Sequence, residues 1–183
     1  MKICSLSLLL ILLLFEVKAD NKNKIISKFQ NIQNLTFNFE QNINGKIENG
    51  QCIIEYPKKI YCKYNTNNKK VLVSNGTSLV ISTDIGSYYR YPLDTTPLNL
   101  ILDKDFIIEE LISLDEKIID NELISFTIKI NELDLNVFFD KKSFNIKGWQ
   151  TLDIYQNLSF TYLSNIIINQ DINADTFKLP KIN

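Results

Sequence analysis

The stretch Gly50–Asp84 reads GQCIIEYPKKIYCKY, then NTNNKK, then VLVSNGTSLVISTD. Short runs rich in isoleucine, valine and tyrosine are separated by turn residues, which is the pattern of strands. Tyr56-Pro57-Lys58-Lys59 is a turn, because proline fixes φ and has no N–H to give to a ladder. Ser74-Asn75-Gly76-Thr77 is a second hairpin turn, since Asn-Gly tolerates the positive φ values of a type I′ turn. The spacing predicts an antiparallel meander of about four strands at the centre of the chain.

Upstream, Ile25, Ile26, Phe29 and Ile32 recur at helical spacing. Leu35, Phe37, Phe39 and Gln41 then alternate with polar residues, as in a half-buried strand. Asn44-Gly45 and Asn49-Gly50 read as punctuation before the meander. Downstream, IGSYYRYPL is an aromatic strand. Thr95 or Thr96 then caps a short apolar helix, with Pro97 in its first turn and Leu98, Leu100, Ile101 and Leu102 along it. Residues 106–119 fit helix or strand, and strand is favoured from about Leu111 to a turn at Asp120-Asn121. The rest is β again, with turns at Asn131-Glu132, Asp140-Lys141-Lys142 and Gln156-Asn157. Phe177 anchors a polar tail. Sequential hairpins of this kind predict a mainly β fold, a curled antiparallel meander of about eleven strands that bends toward a barrel to protect its edges.

The 183 residues suffice for one domain. Met1-Lys2, the apolar run from Leu6 to Phe15 and the small residues ending at Ala19 match a secretory leader, so residues 1–19 are expected to be removed and 20–183 to form a single exported domain. Cys4 leaves with the leader. Cys52 and Cys62 remain, five residues to either side of Pro57, and form either a cross-strand disulfide or two buried thiols.

The net charge of −1 leaves no basic footprint for nucleic acid. Histidine is absent, which removes Ser-His and Cys-His nucleophile pairs. No phosphate-binding glycine loop and no metal-ligand spacing occur, so neither an enzyme nor a cofactor is expected. The carboxylate pairs Glu109-Glu110 and Asp115-Glu116 read as solvated faces. The sequons at Asn34, Asn75 and Asn157 read as chance matches in an asparagine-rich chain. What remains is apolar surface, and a curled sheet with helices over its concave face can enclose an apolar ligand or simply a core.

Several pieces, in order, resemble the LolA family of periplasmic carriers that take lipoproteins to the outer membrane of Gram-negative bacteria. They are Leu35-Thr36-Phe37-Asn38-Phe39-Glu40-Gln41, the strand-proline-strand element from Gly50 to Tyr64, and Val73-Ser74-Asn75-Gly76-Thr77-Ser78-Leu79. Thr96-Pro97-Leu98 with Leu102, then Trp149, Asp153, Gln156 and Asn157, and Phe177-Lys178-Leu179-Pro180 complete the set. The resemblance implies an unclosed barrel with a helical lid over an apolar cavity for acyl chains. It implies a monomer in the periplasm whose partners are lipid-modified lipoproteins, an inner-membrane ATP-driven release complex and an outer-membrane receptor. The alternative is a periplasmic lipid-sensing or protein-binding module of the same fold. No cysteine stands directly after the leader, where Asp20 is found, which favours a soluble carrier over the related lipid-anchored receptor.

By alternation, the inward, acyl-facing residues are Phe37, Phe39, Cys52, Ile54, Tyr56, Ile60, Cys62, Leu79, Ile81, Leu135, Val137 and Phe139. The lid residues are Ile25, Phe29, Ile32, Leu98, Ile101 and Leu102. The family often has an arginine before the turn proline, bonding the lid shut. Tyr56 stands there, and its hydroxyl can bond one lid carbonyl. The family's aromatic at the place of Cys62 is also missing.

Overall fold

The computed structural model describes residues 21–131 and 133–181. The leader assigned to residues 1–19 lies outside them, as does Glu132 of the Asn131-Glu132 turn. The described chain opens with helix α1 (Asn21–Gln30) and continues as β1 (Asn34–Ile43), β2 (Lys46–Glu55), β3 (Lys59–Tyr64), β4 (Val71–Asn75), β5 (Ser78–Ser82) and β6 (Tyr88–Pro92). A 3-10 turn at Leu93–Thr95 leads to helices α2 (Leu98–Ile101) and α3 (Lys104–Ser113). Then come β7 (Lys117–Ile119), β8 (Leu123–Ile130), β9 (Leu133–Asp140), β10 (Ile146–Leu152) and β11 (Leu158–Ile168).

All eleven strands form one antiparallel sheet in the order β6-β5-β4-β3-β2-β1-β11-β10-β9-β8-β7. It is two meanders joined where the first strand pairs with the last. β6 and β7 are its edges and do not pair, so the sheet curls without closing into a barrel. The inward faces of both meanders and the apolar faces of the helices share one core.

Helices α1 and α3 lie side by side and antiparallel, each holding the other's end. Lys22 Nζ of α1 donates to the carbonyls of Ile112 (3.1 Å) and Leu114 (3.0 Å) at the end of α3. Lys104 Nζ of α3 donates to the carbonyls of Gln30 (3.0 Å) and Ile32 (2.8 Å) at the end of α1. A cation at a helix C-terminus satisfies carbonyls that lack intrahelical partners.

Three local expectations are corrected. Residues 104–113 are helical, and the strand favoured from Leu111 begins only at Lys117. Asp103 accepts a hydrogen bond from the Phe106 N–H and caps the helix, and Ile107 and Leu111, four apart, are both buried. Asn75-Gly76 is not a type I′ turn. Gly76 has φ +98° but Asn75 is not left-handed, and the last closed pair is Ser74–Leu79. The Asn75 side chain instead accepts from the N–H groups of Thr77 and Ser78. A two-residue turn with both φ positive is instead formed by Asn44-Gly45, between the paired Ile43 and Lys46. Asn49-Gly50 is no turn at all but lies within β2. A Cβ on Gly50 would sit 2.1 Å from the Lys63 carbonyl oxygen, so the strands touch there without room for a side chain.

The Pro57 turn sets the register of β2 against β3, with Glu55 opposite Lys59 and Cys52 opposite Cys62. The two cysteines form a disulfide on the inward face, Cα atoms 4.1 Å apart. The unreduced protein should therefore be two hydrogens lighter by mass spectrometry than the reduced one. Cys52→Ala with Cys62→Ala should lower unfolding stability by about 2–3 kcal/mol. A denaturation midpoint indifferent to reductant would count against a bond in solution.

Candidate functional site: a roofed apolar cavity

The concave interior divides into a packed part and an open part. In the packed part, Phe29 of α1 stands edge-on to Tyr56 and to Phe139, with ring centroids 5.8 and 5.9 Å apart. Phe139 in turn meets Phe126 edge-on. Ile25, Ile32, Ile54, Leu102, Leu135, Phe37 and Val137 fill the remaining space and are all buried. The hollow expected here is occupied by the protein's own side chains.

The open part is a cavity of about 150 Å³ lined by both meanders and roofed by α2 with Pro97, Leu98 and Ile101. Leu72, Leu79 and Ile81 form one side, and Trp149, Leu152 and Ile154 another. A smaller space of about 60 Å³, walled by Phe39, Ile60 and the Cys52–Cys62 disulfide, shares Gln41, Tyr64, Leu72, Leu98 and Trp149 with it. Pockets for drug-sized ligands measure roughly 300–1,000 Å³, so a long acyl chain fits only if the roof moves.

Of the residues assigned to the acyl face, Leu79 and Ile81 line the cavity, and Phe39, Cys52, Ile60 and Cys62 line the adjoining space. Phe37, Ile54, Tyr56, Leu135, Val137 and Phe139 belong to the packed part. Of the lid residues, Leu98 and Ile101 roof the cavity, while Ile25, Phe29, Ile32 and Leu102 are core. Sequence reading missed Gln41, Ile43, Tyr64, Trp149 and Thr151. Simple alternation could have found three of them, because Gln41 and Ile43 continue Phe37 and Phe39, and Tyr64 continues Ile60 and Cys62.

The mouth carries an ion pair. Glu48 points inward and meets Lys70 at 2.5 Å and Lys46 at 2.9 Å. Burial pushes its carboxyl up, but the two lysines more than offset this and hold it below the usual range. Lys70 also sits 3.9 Å from the Tyr64 ring centroid. At the rim, Tyr91 of β6 and Tyr155 of the β10–β11 turn lie near each other, and the neighbouring phenol pushes the Tyr91 phenol up.

The roof is held by Lys58, one residue past the proline. Its backbone N–H donates to the Leu102 carbonyl (2.9 Å). Its ammonium donates to the backbone carbonyl (3.0 Å) and the side-chain oxygen (2.9 Å) of Asn99, and pairs with Asp103 Oδ2 at 2.8 Å. Burial raises the Asp103 carboxyl, but Lys58 and the Phe106 N–H outweigh it and hold it below its ordinary value. The expectation that Tyr56 bonds the lid is corrected, because its hydroxyl is sealed from solvent with no hydrogen-bond partner. Burial alone pushes that phenol far up.

The family model for outer membrane lipoprotein carrier protein LolA matches residues 15–180. The chain belongs to the LolA family. No curated protein matches it in sequence. Among solved structures it is similar to MucB, at 11% identity and TM-score 0.50 over 90% of this chain and 63% of that one. It is also similar to an uncharacterized conserved protein from Thermus thermophilus, at 7% identity and TM-score 0.52 over 89% and 94%. The chain thus spans less than two thirds of MucB, and at these identities the likeness is one of fold. Among the described residues of this LolA-family chain, no group of three metal-ligating side chains occurs and no helix is long and apolar enough to cross a membrane.

Lys58→Met should cost about 1–2 kcal/mol of stability by removing the ammonium's contacts, whereas Tyr56→Phe should be neutral or stabilising by about 1 kcal/mol. Thermal unfolding of the two variants checks this, and the reverse ranking would contradict it. The Asp103 carboxyl is depressed in the folded state, so its contribution is full above its unfolded pKa and lost as pH falls through the folded one. The stability gap between wild type and Lys58→Met should therefore shrink below about pH 4. A gap constant down to pH 2–3 would place the latch elsewhere.

Proposed function

We propose that this protein is a periplasmic carrier that shields the acyl chains of lipoproteins between an inner-membrane ATP-driven release complex and an outer-membrane receptor. The observation that carries the reading is an apolar cavity under a small helical roof that one lysine holds down. Burying each CH₂ of an acyl chain is worth about 0.8 kcal/mol, so an open, preformed slot would bind long chains too tightly to release them. Here the roof contacts of Lys58, Leu98 and Ile101 must be given up as the chain enters, and net affinity is the difference. A receptor then needs only a modest advantage to take the cargo. Family membership supports the same reading, and the absence of histidine speaks against acid–base catalysis.

The second reading, a periplasmic module of this fold that senses lipid or binds a signalling protein, uses the same cavity without delivery. Two experiments separate them. Trp149 is the chain's single tryptophan and lines the cavity, so a brominated acyl lipid should quench its fluorescence, more strongly in Lys58→Met, where the closed roof is disfavoured. Expression in a Gram-negative strain depleted of its own carrier should restore growth. Quenching without rescue would favour the sensor, and neither quenching nor rescue would leave the carrier reading unsupported.

A further inference from the structure

One wall of the cavity is polar. Neighbouring strands β1, β11 and β10 set two inward rows side by side, Gln41–Thr161–Trp149 and Ile43–Ser159–Thr151. Ser159, Thr161 and Thr151 are only 3%, 4% and 6% exposed. Gln41 Nε2 donates to Ser159 Oγ at 2.9 Å and to Thr161 Oγ1 at 3.2 Å. Thr151 Oγ1 is sealed from solvent and has no hydrogen-bond partner. The patch spans the junction between the larger cavity and the space beside the disulfide.

Buried polar groups are ordinarily paired, and each exception calls for a reason. A hydroxyl that accepts from an amide still has its own proton to donate, and Thr151 has both functions free. The patch therefore offers donors and asks for an acceptor. A plain hydrocarbon chain would leave Thr151 as unmatched as it already is and gain nothing from it. An anionic headgroup would meet the Asp153 carboxylate, which also lines the cavity, while the nearby cation Lys70 is already paired with Glu48. A neutral acceptor with a long apolar tail meets every requirement.

We infer that the Gln41–Ser159–Thr161–Thr151 patch receives the carbonyl oxygen of an ester-linked acyl chain, with the Thr151 hydroxyl as donor and the tail running past Trp149 toward the disulfide. The inference rests on the acyl-carrier reading and sharpens it, because the cargo is recognised by its linkage as well as by its tail.

The test compares a long-chain monoacylglycerol with its ether analogue of equal chain length, each displacing a fluorescent naphthylamine dye from the purified protein. Wild type should prefer the ester by about three- to ten-fold, the worth of one net hydrogen bond. Thr151→Ser should keep that preference, and Thr151→Val should bring the ratio close to one. Thr151→Val should melt at or above the wild-type temperature, since it removes an unpaired buried hydroxyl, and Thr151→Ala provides a second hydroxyl-free variant. Equal displacement by ester and ether in wild type overturns the inference while the acyl-carrier reading stands. A preference that survives in both hydroxyl-free variants overturns the assignment to Thr151. If neither lipid displaces the dye, both the inference and the carrier reading fall.

Discussion

The pairing of β1 with β11 is the constraint on which the rest of the molecule depends. It runs from Leu35 opposite Ile168 to Ile43 opposite Ser159, with a bulge where Asn165 takes φ +49°. Without it the chain would be two meanders, each with one apolar face bare. Asparagines clamp its far end. Asn34 Nδ2 donates to the Gln170 carbonyl and Asn34 Oδ1 accepts from the Gln170 N–H. Asn169 likewise accepts from the Gln33 N–H and donates to the Asn31 carbonyl. A pairing between residues so distant in sequence is slow to find, and these side chains reward it once found. They also show that Asn34, although in a sequon, spends its amide on the fold.

Much of the sheet was legible because alternation has a period of two and turns have chemical signatures. Phe37 and Phe39 in β1, Leu135, Val137 and Phe139 in β9, and the Pro57 turn that sets Cys52 opposite Cys62 could all be read directly. Residues 106–114 could not, because Phe-Ile-Ile and Leu-Ile-Ser favour strand locally, and the deciding features are the Asp103 cap and the packing of α3 against α1. Asn49-Gly50 misled for a related reason. Its glycine answers a close approach of β3 that no local signal records. The cavity was the least legible part. Alternation tells inside from outside, but it cannot tell which inward residues the helices will cover. Gln41 and Thr151 were passed over because polar residues on an inward face look like interruptions of a core.

The roof shows how a chain with a single arginine, Arg90, assembles a latch from other parts. A lysine after the turn proline reaches two acceptors on Asn99 and one on Asp103, while its backbone binds Leu102. Tyr56, before the proline, contributes its ring to the packing against Phe29 and carries an unmatched hydroxyl as a penalty on the closed state. The two neighbours of Pro57 thus act in opposite directions, one fastening the roof and the other taxing the fastened state. A roof fixed by a few polar contacts and opposed by one lonely hydroxyl is closed by a small margin.

The tyrosine pair at the rim has a geometric corollary. β6 and β7 share no ladder, so the two halves of the sheet are hinged along one seam and free along the opposite side. Near that free side, Tyr91 of the edge strand β6 faces Tyr155 of the β10–β11 turn close to solvent. With no ladder between β6 and β7, the gap between those edges can change by flexing the sheet while every strand pairing stays intact. Such flexing would change the girth of the interior while keeping the same walls.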